Sequence, residues 1–217
     1  MASTAVAAAS PVALDLYGNR FGPRKAEALE RFGGTAETEA AVAAGLAYLA
    51  SIQDERGHWG RRSRAHDKYG ETWVGKTGLG LLAFLGAGHV PDQDSEYSAV
   101  AARARDALLA AQHAETGHFG VTSSYSHGIA TYALAECYAI TEDRNLRAPL
   151  ERAVSWIARN QDKSRDPRSR GGWGYYSAFL SPEDGFARTS VTSWQLMALE
   201  SAKLSGIAVD DAVIDAA

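Results

Sequence analysis

A single cysteine, Cys137, stands among the 217 residues, which excludes an internal disulfide framework and a cysteine-rich zinc site but leaves the compartment open. Long hydrophobic runs are missing too, since no stretch approaches the roughly 20 apolar residues of a membrane-crossing helix. The first ten residues are small and apolar yet lack a basic opening and a sustained greasy core, so they read as a flexible leader and not as a secretion signal. Neither sign of charge prevails. Twenty-two basic residues face 26 acidic ones for a formal net charge of −4, which implies no polyanion and no anionic membrane surface as partner. The basic segment 162–170 reads as a solvated, mobile insertion and not as a nucleic-acid contact.

What the chain has is enough apolar material for one compact domain, 46% of its residues, and a pattern that returns three times. An apolar run ends in Gln53, and a polar turn leads to Gly57 and then Trp59. The same order recurs at Gln112, Gly117 and Phe119, and at Gln161, Gly171 and Trp173, where a longer loop delays the glycine. Such repetition makes an array of similar units the first hypothesis. A glycine just past a helix end takes a left-handed backbone at no steric cost and reverses the chain. The glutamine amide offers donors to helix-end carbonyls, and the tryptophan folds back over it with an indole N–H in need of an acceptor. The unit is expected to be a clasp between a helix end and the next stretch of chain.

Periodicity predicts the helices between the clasps. A short one runs from Pro23 to Phe32, with proline at its first position and Gly33 beyond its end. A second, residues 36–52, opens at Thr35 as cap, and Val42, Leu46 and Leu49 form an apolar stripe along it. Residues 95–111 and 150–160 are likewise amphipathic, whereas 72–85, 125–140 and 189–204 are apolar nearly all round and must be enclosed. Residues 210–217 look like the start of another half-exposed helix. Alternation of half-exposed and enclosed helices predicts an all-α, two-layered α/α toroid, as a partial ring of about three helix hairpins. Aligning the enclosed helices matches Thr77-Gly78 with His127-Gly128 and Thr192-Ser193, and Ala83 with Ala133 and Ala198.

The order Gly45, Tyr48, Leu49, Gln53, Gly57, Trp59 resembles the QW motif of triterpene cyclases. Trp156, Ile157, Gln161, Gly171 and Trp173 match it again, and the middle copy is degenerate, with Ala107 for the aromatic and Phe119 for the tryptophan. Over residues 35–209 the chain is similar to the prenyltransferase and squalene-oxidase repeat group, which includes squalene-hopene cyclases and protein prenyltransferase β subunits. Segments around Tyr125 and Thr192 look most like a bacterial, planctomycete-type branch. The resemblance implies the same toroid fold, whose rings close with about six helix pairs, so that three would need a longer chain or a second copy for completion. Residues 1–34 are then a leader and short helix, and 35–217 the repeat domain.

The resemblance also says which chemistry to look for. The Asp-x-Asp-Asp acid of the cyclases is missing, and Asp92 and Asp94 read as turn and capping residues. The Asp-rich magnesium motif is missing, and Cys137, preceded by Ala135 and Glu136, fails the Asp-x-Cys zinc pattern and reads as core. No metal or cofactor is expected. His66 and Asp67 at the lip of the first enclosed helix, and His127, are the weak candidates for acid–base work. Trp73, Thr77, Tyr125, His127, Tyr132, Thr192 and Trp194 are the candidates for lining a ligand-binding inner face. The expected function is a non-cyclising binding or scaffold module, whose inner face holds an apolar, isoprenoid-like molecule or a partner segment. The open alternatives are a cyclase-like or prenyltransferase-like enzyme with its acid or remaining half elsewhere, and a carbohydrate-processing toroid, for which no acid pair stands at usable spacing.

Overall fold

A computed structural model describes residues 17–60, 72–121, 123–176 and 186–217. Among these the protein is all-α, with eight α-helices, two 3-10 turns and two isolated β-bridges. In chain order the helices are α1 (Gly22–Phe32), α2 (Ala36–Ile52), α3 (Thr72–Gly86), α4 (Ser98–Ala110), α5 (Ser124–Thr141), α6 (Arg147–Arg159), α7 (Thr189–Leu204) and α8 (Asp211–Asp215). The expected leader and the polar loop after the first clasp fall on residues 1–16 and 61–71, outside the described residues.

Local chemistry sets the helix limits. Pro23 opens α1, and Gly33, at φ 82°, ends it. Thr35 caps α2 in a reciprocal pair, its side chain accepting from Thr38 N–H while Thr38 Oγ1 accepts from Thr35 N–H. Ser123 caps α5 by accepting from Ser126 N–H.

The enclosed helices α3, α5 and α7 lie side by side, with α5 in the middle. On α5 every residue from Ser126 to Thr131 is buried, and Glu136 is the helix's one carboxylate. Close approach rests on small residues. A Cβ on Gly78 would stand 2.9 Å from Ile129 Cγ2, and one on Gly128 2.7 Å from Gln195 Nε2. Of the three aligned alanines, Ala133 and Ala198 are buried while Ala83 is exposed.

The half-exposed helices flank this row, α4 packing on α3 and α6 on α5 and α7. Helix α2 corrects the expected stripe: Leu46 is buried, but Val42 is 46% exposed. Among the described residues nothing packs closely enough on Val42 to bury it. Within the segment 162–170, expected to be a solvated insertion, two acids bond the loop's own backbone. Asp162 accepts from Ser164 N–H at 2.6 Å, and Asp166 from Arg168 N–H at 3.0 Å. No helix among the described residues is long and apolar enough to cross a membrane.

Candidate functional site

The three clasps are one structure made three times. Gln53 Nε2 donates to Gly57 O at 3.2 Å and to Val100 O at 3.0 Å. Gln112 Nε2 donates to Gly117 O and Pro149 O, and Gln161 Nε2 to Gly171 O and Val213 O, all within 3.0 Å. Each amide thus binds its own turn with one hydrogen and the next flanking helix, α4, α6 or α8, with the other. The acceptors are not the orphan carbonyls of the glutamine's own helix, as the sequence suggested; the clasp ties unit to unit. Arg103 and Arg152, three residues beyond the accepting carbonyls in α4 and α6, donate back to Gln53 Oε1 and Gln112 Oε1 at 2.7 Å.

The glycines permit the approach. Gly57, Gly117 and Gly171 have φ of 84°, 79° and 88°, and a Cβ on them would lie 2.3, 2.5 and 1.8 Å from the carbonyl oxygens of Arg103, Arg152 and Ala216. Val213 and Ala216 therefore occupy in α8 the places that Val100 and Arg103 hold in α4. The tryptophans behave alike: Trp59 Nε1–H donates to Leu49 O at 2.8 Å and Trp173 Nε1–H to Ile157 O at 2.9 Å, each four residues before the glutamine.

The aligned residues of the enclosed helices complete the clasp. Thr77 Oγ1 accepts from Trp59 N–H at 3.2 Å, Thr192 Oγ1 from Trp173 N–H at 3.1 Å, and His127 Nδ1 from Phe119 N–H at 3.0 Å. His127 Nε2–H then donates to Ala153 O at 3.2 Å, so the ring is neutral and both nitrogens serve backbone groups. Burial, with His118 stacked 4.7 Å away, holds it well below the usual histidine range. The candidates Thr77, His127 and Thr192 thus sit beneath the clasps and not on an open face.

Helical rotation puts the other candidates opposite them. At about 100° per residue, positions two before, two after, five after and nine after the clasp acceptor fall on the far side of the helix. On α5 these are Tyr125, Ile129, Tyr132 and Glu136; on α7 they are Ser190, Trp194, Met197 and Ser201. The contacts agree. Tyr125 Oη meets Ser190 Oγ, and the rings of Tyr132 and Trp194 are 6.3 Å apart. Tyr175 lies 5.8 Å from Tyr125, with Arg188 over its other side at 5.3 Å. On α3 the same positions hold Leu79, which is exposed, and Leu82, which is half-buried. Trp73 stands apart at the start of α3, stacked on His58 at 4.0 Å.

Among the residues of this face that escaped the sequence reading are Glu136 and Ser201, nine positions beyond His127 and Thr192. Extending the alignment by the same rotation would have found both. The Glu136 carboxylate, nearly buried, accepts from Arg20 Nη1 at 2.8 Å. Burial first, then the adjacent Glu136, raises the Tyr132 phenol well above its ordinary value.

Of the remaining candidates, His66 and Asp67 lie outside the described residues. Asp92 pairs with Arg105, which also reaches Asp106 at 2.8 Å and Asp143 at 3.8 Å, so it anchors a turn. Cys137 is buried, its thiol pushed up to about 12 chiefly by desolvation. Among the described residues no three metal-ligating side chains come together. In comparisons with known proteins no family model matches, and no characterised protein or solved structure matches significantly.

Proposed function

We propose that this chain is a prenyltransferase and squalene-cyclase-like repeat module, a partial α/α toroid that binds an apolar, isoprenoid-like molecule or a partner segment on a concave inner face. A longer chain or a second copy completes the ring. The observation that carries the reading is the placement of Tyr125, Tyr132 and Trp194 on the side of α5 and α7 turned away from the clasps. Aromatic rings on helices held beneath the clasps at His127 and Thr192 form a preorganised wall, which lowers the cost of ordering on binding.

The enzymatic alternative, cyclase-like or transferase-like, draws support from the carboxylate of Glu136 on the same face. That carboxylate is committed to Arg20, so the protonating acid such chemistry needs has to come from elsewhere, and the binding role is preferred.

Titration of the protein with farnesol, followed by tryptophan fluorescence, tests the reading. Binding is expected to saturate and to weaken about tenfold or more in Trp194→Ala, a loss of at least about 1.4 kcal/mol. Failure to saturate, or equal affinity in Trp194→Ala, overturns it. Light scattering on the same sample reads ring completion by pairing, and a monomer at all concentrations removes the second copy.

A further inference from the structure

The open face is crossed near the C-terminal ends of all three enclosed helices by the chain's own N-terminal turn. Gly88, just past α3 and at φ 92°, lets the turn pass so closely that a Cβ there would lie 2.4 Å from Arg20 O. On α5 the Arg20 guanidinium binds Glu136 at 2.8 Å, the two side chains being 25% and 4% exposed. The same guanidinium stacks over the Tyr17 ring at 4.6 Å. Tyr17 is buried beside Ser201 of α7.

A nearly buried carboxylate beside the Tyr132 hydroxyl, one helical turn before it, is the chemistry of a cation receptor. The carboxylate supplies the charge, and a charge-assisted bond to a guanidinium or ammonium is among the strong ones. Here the receptor already holds a guanidinium. The segment that delivers it is held at few points, with Tyr17 in the core, Phe21 packed against the core and Lys25 bonded to Ala87 O. Among residues 17–34 only Tyr17 and Gly18 are buried, and α1 buries none of its residues. Segments with so few buried contacts open locally at a cost well below that of global unfolding.

We propose that Arg20 is a built-in occupant of a cation site formed by Glu136 beside Tyr132, and that a guanidinium- or ammonium-bearing ligand replaces it when the turn at residues 17–21 lifts away. The proposal rests on the inner face being a ligand surface and adds to it a polar end, so that a ligand with an apolar body and a cationic head spans Tyr125 to Glu136.

The test uses methylguanidinium as probe, with binding read by NMR shifts of the residues around Glu136. Arg20→Ala is expected to bind it, the intact protein to bind at least about tenfold more weakly because the site is free only a fraction of the time, and Arg20→Ala/Glu136→Gln to show no saturable binding. Equal behaviour of the single and double variants, or no binding by Arg20→Ala, overturns the proposal. Hydrogen exchange on the unaltered protein keeps the test alive if Arg20→Ala does not fold. The Phe21 amide, bonded to Gly18 O at 3.2 Å, is expected to exchange through local opening. Exchange only through global unfolding shows the turn to be a fixed part of the fold and overturns the proposal. Farnesol binding that depends on Trp194 while methylguanidinium binding fails sinks the cation site and leaves the inner-face reading standing.

Discussion

Gly117 combines a left-handed backbone with a carbonyl oxygen where its Cβ would go, so Gly117→Ala meets two penalties together. Forcing alanine into that conformation and pushing α6 away are each worth about 1–3 kcal/mol, and a loss of roughly 3 kcal/mol in urea unfolding is expected. His127 gives a pH prediction whose sign is set by its burial. The native ring stays neutral, whereas in the unfolded chain it takes a proton near pH 6.5. Below that pH the unfolded state binds a proton the native state refuses, so stability falls by up to about 1.4 kcal/mol per pH unit, and above it this contribution is flat. His127→Thr restores the residue that Thr77 and Thr192 supply in the other clasps and removes the ionisable ring. Its unfolding free energy, compared with that of the unaltered protein at pH 5, 6 and 8, is expected to lack that part of the slope, whatever the offset from the smaller side chain.

At the scale of the element, each clasp is an interface as well as a turn. Gln112→Ala strips the donors from Gly117 O and Pro149 O and leaves Arg152 without Gln112 Oε1, for an expected loss of about 2–3 kcal/mol in denaturant unfolding. The repeated clasp was legible in the sequence because its geometry demands particular residue types: an amide with two donors, a glycine, an indole. Some helix limits were legible for a similar reason, as at Thr35, where a cap is a local event, whereas α4 and α6 start at Ser98 and Arg147 and not at the expected 95 and 150. Which way a side chain points was less so. Thr77, His127 and Thr192 were aligned correctly, yet their hydroxyl and imidazole groups turn toward the clasps, and only the position of the flanking helices decides that. Val42 misled because a stripe at helical spacing says that a face is apolar, not that a neighbour covers it. The position of Glu136 on this face was within reach of the same rotation, but its pairing with Arg20 was not, since the two are 116 residues apart in the chain and no local pattern joins them.

For the whole molecule, ties that link each unit only to the next make stability a sum over neighbours, as in other repeat arrays. Helix α5 has both neighbours, α3 on one side and α7 on the other, and its buried positions run almost unbroken from Ser124 to Ile140. Helix α2 buries only Leu46, while α8 is five residues long and buries none. The expected order of native-state hydrogen exchange is therefore α8 and α2 first, through sub-global opening, then α3 and α7, and α5 last at the global unfolding free energy. The clasp chemistry gives the order a sharper check. Gln161→Ala cuts the tie to Val213 O, so it is expected to speed exchange in α8 and the end of α7 at low denaturant while leaving α3 and α4 at their original rates. A molecule that behaves as one indivisible core would instead show all helices exchanging together, shifted equally by the substitution. The two outcomes separate a chain of interlocked units from a single cooperative block, because only in the first does a broken tie stay local.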